Sequence, residues 1–473
     1  MKTKLLLPCI VIALTIAGCI EDRYQWSPNG KSMTVITNDG LRIADADGKL
    51  TGVNVPGVHL VRWFADSRHL LASKDIDVAK WNDLTAYLTA AQIRSVTDAA
   101  QRVRPAILNY NWSTGADWGK FESDYLKGPE SAKEDGPIFH NLDSAVGVYL
   151  RDHDDGTLRD FLPPLRWMDL QDLKQSIHSI AECTVGESEA TWGKPLMTLP
   201  QGPVDLRISP DGREAMIVAP MEQQDQGNGI WLVPTDGSVA PVLVSDHAAA
   251  HPDWSVDGHY VVYVCSAPHD ADLGVLRRAR VVGDDGSLIA KQPTTEDLAG
   301  LAFNAETRVR CLADGRIFFN SVEIVLPAAP TDVGQRMELF AVDPGRQATV
   351  MRLLTATALM QIGDSAAYFE VSPDGLHVSI PDQTGTVDVV NLASGSVTRV
   401  QSKVFPIPAK GDSAPIIVPT WRNNDELTFV APGDDGRPQV ILYSLSSNSG
   451  KVLSATWPTD IVEELAPKPN SNH

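Results

Sequence analysis

A short turn, W-S-P-N-G at residues 26–30, returns along the whole chain. It reappears as W-F-A-D-S at 63–67, I-S-P-D-G at 208–212, W-S-V-D-G at 254–258, C-L-A-D-G at 311–315, V-S-P-D-G at 371–375 and W-R-N-N-D at 421–425. Each copy leads into a short apolar run, such as Met33–Ile36 or Tyr260–Tyr263, so each reads as strand, tight turn, strand. A repeat of this kind constrains the fold more than any single motif, because one hairpin cannot bury its apolar face alone and must stack on its neighbours.

The turns end at Gly30, Ser67, Gly212, Gly258, Gly315, Gly375 and Asp425. A second half-motif, strand then Gly/Asp/Asn-rich turn then strand, alternates with them at 41–50, 148–158, 230–244, 276–288, 339–354, 387–400 and 440–453. Two hairpins per repeat predict an all-β, seven-bladed β-propeller with four-stranded antiparallel blades over residues 24–458, closed so that no sheet edge is left exposed. The one long gap, between Ser67 and Gly212, holds the exceptions. Apolar residues at helical spacing over 76–104, and again over 165–185, predict helices. Insertions at 76–145 and 164–203 are expected to form a small helical cap in and after blade two, over one mouth of the ring, with 459–473 as a C-terminal tail.

W-S-P-N-G-K, I-S-P-D-G-R, W-S-V-D-G-H and V-S-P-D-G-L resemble the TolB-type (WD-repeat-like) β-propeller repeat, and I-W-L-V-P-T-D-G-S resembles that repeat's second half. The likeness covers nearly all the chain outside the insertions and speaks to fold rather than activity. The chain departs from TolB itself in having seven repeats rather than six and no clear α/β domain before Tyr24.

The first residues carry Lys2 and Lys4, an apolar stretch from Leu5 to Ile16, and then Ala17-Gly18-Cys19. This reads as a signal peptide over 1–18, and Ile16-Ala17-Gly18-Cys19 resembles a bacterial lipoprotein processing site with Cys19 as the lipidated residue. Residues 19–23 would then tether the chain to the outer membrane, facing the periplasm, with Ile20 where inner-membrane retention has Asp. Loss of Lys2 and Lys4 takes the net charge from −20 to −22, and no basic cluster offers a nucleic-acid face. Cys183, Cys265 and Cys311 match no zinc spacing and are expected as free thiols.

No G-x-S-x-G elbow, P-loop or G-x-G-x-x-G is present. The constellation to weigh is His247, His251 and His269, which would converge on the capped mouth and hold a divalent metal there; the blander reading makes His247 and His251 parts of a loop entering the next strand. Tyr110, Trp112, Trp118 and Tyr125 fall outside the repeat and offer rings to a partner, or a core for the cap. Trp26, Trp63, Trp254 and Trp421 share one column of the repeat and read as packing between blades. The expected function is a monomeric, non-enzymatic scaffold without cofactor that binds an envelope protein or glycan, the alternative being a metal-dependent polysaccharide lyase or hydrolase.

Overall fold

The recurring turn is built the same way at each serine. The hydroxyl of Ser27 donates to Asn29 Oδ1 at 2.8 Å, that of Ser209 to Asp211 at 2.7 Å, that of Ser255 to Asp257 at 2.6 Å and that of Ser372 to Asp374 at 2.5 Å. The glycine that follows lies at φ +65°, +78°, +72° and +69° at Gly30, Gly212, Gly258 and Gly375. A Cβ is disfavoured in that region, which is why the motif ends in Gly.

The computed structural model describes residues 23–128, 135–221, 227–249, 251–267, 270–289, 293–302, 307–321, 324–326, 338–345, 350–353, 368–381, 387–401 and 418–464. They are mostly β. The first sheet is Tyr24–Trp26, Ser32–Thr37, Gly40–Asp45 and Leu50–Pro56; the second is Val58–Trp63, His69–Val78, Gln175–Val185 and Ala190–Leu199. Three more four-stranded sheets begin at Val309, Glu370 and Thr420. The third and fourth repeats depart from this scheme and merge into one sheet of nine strands, which also takes in Ile324–Leu326.

The expectation of seven separate blades is therefore corrected: the described residues form six sheets, and closure of seven blades into a ring is not what they show. The cause lies at the join. Ala248, at the end of Val242–Ala248, pairs with Cys265, and Ala249 N–H donates to the Val264 carbonyl at 2.8 Å, which stitches two repeats edge to edge. Apolar clusters pack successive units face to face, and Tyr24, Trp26 and Met33 of the first sheet share one with Val430, Val440 and Leu442 of the last. Three repeat tryptophans donate across these junctions: Trp26 Nε1 to Thr428 Oγ1 at 2.8 Å, Trp63 to the Gln25 carbonyl at 3.3 Å and Trp421 to the Glu370 carbonyl at 3.2 Å.

The helical expectation is also corrected in its layout. All the helices between the second and third strands of the second sheet belong to one insertion, with segments at 81–84, 90–109, 118–126, 136–152, 157–161 and 164–171. Residues 148–158, expected as a hairpin, lie mostly in helix; residues 165–185, expected as a helix, are helical only to Gln171 and then become the strand Gln175–Val185. Thr89 caps the long helix, its hydroxyl accepting from Gln92 N while the Gln92 side chain accepts from Thr89 N, a capping box that fixes where the insertion turns helical.

The turns mark one end of the sheets. Asn29 N–H donates to Ser67 Oγ at 3.1 Å, so the first turns of sheets one and two lie side by side. Antiparallel strands then place Tyr24 and the end of His69–Val78, where the insertion departs, at the opposite end.

Candidate metal centre

Among the described residues, one group of three metal-competent side chains converges: His59, Asp75 and His178. They come from three consecutive strands of the second sheet. Asp75 and His178 are direct cross-strand partners. His59 is the extra residue of a bulge, since Val58 pairs with Lys74 and Leu60 with Ser73, and a bulge re-aims the side chain it carries. The result is three ligand atoms within 4.8 Å of one another on one face.

His59 Nδ1 lies 2.8 Å and His178 Nδ1 2.5 Å from the same Asp75 oxygen. At those separations a ring N–H aimed at the carboxylate would make a strong hydrogen bond, yet both nitrogens are buried without one of acceptable geometry. The rings stand edge to face with centroids 5.4 Å apart. Gly202 keeps the space beside them clear, because a Cβ there would sit 3.2 Å from His178 Cε1 and 3.5 Å from His59 Nε2. Burial, reinforced by the neighbouring His178, pushes the His59 pKa down against the opposing pull of Asp75 and the Gly57 carbonyl. A neutral imidazole is the form that ligates a metal. Asp75 stays half in solvent, with its side chain 57 % exposed, so one side of the cluster is open.

The histidines singled out from sequence are placed elsewhere. His247 is half-buried with Nδ1 against Asp246. His251 is buried, its Nδ1 3.4 Å from Asp205 Oδ2, and burial pushes its pKa down to about 4 despite the Asp205 contact. His269 lies outside the described residues. Among the described residues, neither His247 nor His251 joins a group of three ligands.

His251 belongs instead to a buried charge cluster. Asp205, fully buried, accepts from Arg62 at 2.6 Å, from Arg207 Nε at 3.1 Å and from Leu206 N–H at 2.8 Å. Burial alone would raise its pKa, but Arg207 and Arg62, helped by His251, hold it well below the usual carboxylate range. A second cluster joins Arg308 and Arg310 to Glu370 at 2.8 and 2.9 Å.

Tyr110, Trp112, Trp118 and Tyr125 gather with Phe121 and Phe139 inside the insertion. Trp112 is buried and donates to the Ile107 carbonyl at 3.1 Å, Tyr110 donates to Asp124 at 2.8 Å and Tyr125 to Asp135 at 2.8 Å. They are the insertion's own core; Tyr110 and Tyr125 also border a cavity of about 380 Å³ with Arg102 and Phe121. Cys183, Cys265 and Cys311 are free thiols, the first two buried. Cys19 lies outside the described residues.

No protein-family model matches the chain. No curated protein matches it significantly either. Solved structures that resemble it include a puromycin hydrolase at 16 % identity and TM-score 0.42, covering 59 % of this chain and 43 % of that one. A putative TolB from Agrobacterium tumefaciens aligns at 14 % identity and TM-score 0.36 over 55 % of this chain and 83 % of its own. An acylaminoacyl peptidase from Pyrococcus horikoshii aligns at 9 % identity and TM-score 0.45 over 89 % and 50 %. The chain thus spans less than half the length of the puromycin hydrolase. These relatives include a TolB-like protein beside several peptidases, with no polysaccharide-degrading enzyme among those named. On that finding the non-enzymatic scaffold and the polysaccharide lyase or hydrolase are both corrected and not carried forward. At this identity the likeness concerns fold, and no activity is taken from it.

Proposed function

We propose that the chain is a TolB-type repeat protein of the bacterial envelope that binds one divalent transition-metal ion through His59, Asp75 and His178. The observation that carries this reading is the pair of short contacts to one Asp75 oxygen from two ring nitrogens that make no proper hydrogen bond. Two imidazoles and a carboxylate suit zinc, iron or cobalt rather than calcium or magnesium, which take oxygen ligands. With bonds of about 2.0–2.2 Å, tetrahedral ligand atoms stand roughly 3.3 Å apart, so the two imidazole nitrogens, at 2.8 and 2.5 Å, each need to draw back from the Asp75 oxygen by less than about 1 Å to admit the ion. Three protein ligands and an open side leave a coordination position for water or an exogenous ligand. The S-P-D-G turns support the family, and the Ile16–Cys19 motif supports the envelope location and lipid tether at Cys19.

Cobalt substitution tests the site. Adding Co²⁺ to the metal-free chain is expected to give visible ligand-field absorption saturating at one ion per chain, abolished by His59→Ala or His178→Ala. Absence of that absorption, or its persistence in both variants, overturns the reading.

A further inference from the structure

Among the described residues, eight large apolar side chains are exposed, and three of them, Phe161, Leu165 and Met168, fall within one short stretch of the insertion at 44 %, 59 % and 56 % exposure. The helix 164–171 explains the clustering. Leu170 is buried and Trp167 packs on the insertion's core, so that face is satisfied; Leu165 and Met168, three residues apart, occupy the other face. Phe161 closes the preceding short helix, four residues before Leu165, and is exposed as well. A grouped apolar patch on an otherwise strongly acidic chain marks a contact surface.

Topology points to what covers it. The contact between Asn29 and Ser67 fixes the first turns at one end of the sheets, so the first described strand starts at the end from which the insertion departs. If Cys19 carries lipid, only residues 19–23 separate the bilayer from Tyr24, a reach of at most about 18 Å at full extension. The end bearing the insertion is then the end held at the membrane.

We infer that Phe161, Leu165 and Met168 form a second membrane contact, seated in the headgroup region of the bilayer to which Cys19 tethers the chain. The inference rests on the lipid at Cys19 and is independent of the metal site. A short flexible tether leaves the body free to turn on the bilayer, and an added apolar contact fixes its orientation. The flanking charges are mixed, Arg159 and Arg166 beside Asp160 and Asp169, so the contact is apolar rather than electrostatic and fits zwitterionic as well as anionic lipid.

The test uses the lipidated full chain in phosphatidylethanolamine and phosphatidylglycerol vesicles containing lipid brominated on its acyl chains. An environment-sensitive fluorophore is attached at Met168→Cys and, separately, at Asn29→Cys at the opposite end; the labelled parent chain corrects for Cys311. Burial of the patch 5–10 Å into the interface predicts quenching at 168 at least about threefold that at 29, reduced to the level of 29 when Phe161→Ser and Leu165→Ser are added. Equal quenching at the two positions overturns the inference, as does mass spectrometry showing no lipid on Cys19. Because cobalt binding reads the metal site without a membrane, failure here leaves that reading standing and the two failures are told apart.

Discussion

Asp205→Asn removes one charge and almost no volume from the most buried ion cluster in the described structure. Asp205 has no exposed side-chain area, and Arg62, its 2.6 Å partner, is 10 % exposed. Taking one partner from a buried pair leaves the other desolvated without its counter-charge and costs about 3–5 kcal/mol. Arg207, at 16 % exposure, has room to turn toward solvent, which places the expected cost near the lower bound, about 3 kcal/mol. With unfolding entropy of about 2.1 cal/mol/K per residue over 473 residues, roughly 1 kcal/mol/K, the melting temperature should fall by about 3 °C. Calorimetry on the purified chain measures it, with exposed Asp236→Asn as a control expected to shift by less than about 0.5 kcal/mol. Adding Arg62→Met to Asp205→Asn should recover part of the loss, since an apolar side chain needs no counter-charge. A drop of under 1 °C, or no recovery in the double variant, would refute the claim that the cluster is held by charge compensation.

Three further outcomes follow from named contacts. His251 has a folded pKa of about 4 against an ordinary 6.5, so below pH 6.5 the unfolded chain takes up a proton the folded chain refuses; stability should fall between pH 6.5 and 4 by about 3 kcal/mol, and His251→Asn should flatten that slope in urea titrations. Gly48→Ala is expected to destabilise by more than about 1 kcal/mol, because φ is +87° and the new Cβ would meet the Leu453 carbonyl oxygen at 2.3 Å, forcing apart the first sheet and the C-terminal segment; unchanged melting would contradict that packing. Gly202→Ala should weaken cobalt binding several-fold with little change in melting temperature, as its Cβ presses on the His178 imidazole at 3.2 Å from Cε1.

The repeat was legible because its causes are local. A serine, an Asp or Asn two residues on and a positive-φ glycine are visible as letters, and three of the four tryptophans of the column, Trp26, Trp63 and Trp421, donate across sheet junctions. The second repeat misled for an equally physical reason. D-H-D-D-G at 152–156 looks like a hairpin turn but links two helices, with Gly156 at φ +98° entering the second. In Gln175–Val185, Ile177, Ser179, Ala181 and Cys183 alternate inward, a period of two that the apolar spacing of 165–180 obscured. That misreading hid the metal centre. Only when 175–185 is a strand does His178 fall opposite Asp75, across an insertion of nearly a hundred residues, and the bulge that turns His59 toward them has no letter of its own. His247 and His251 drew attention because they are close in sequence, whereas these ligands are close only in space. The merging of the third and fourth repeats depends on one pairing, Ala248 with Cys265, that no spacing announces.

Equilibrium dialysis of the chain against zinc, followed by elemental analysis, measures whether His59, Asp75 and His178 hold a metal ion. One zinc per chain is predicted for the parent protein and close to none for His59→Ala/His178→Ala, with the same melting temperature in both when metal-free. Sub-stoichiometric zinc in the parent, or one full equivalent in the double variant, would contradict a metal centre at His59, Asp75 and His178.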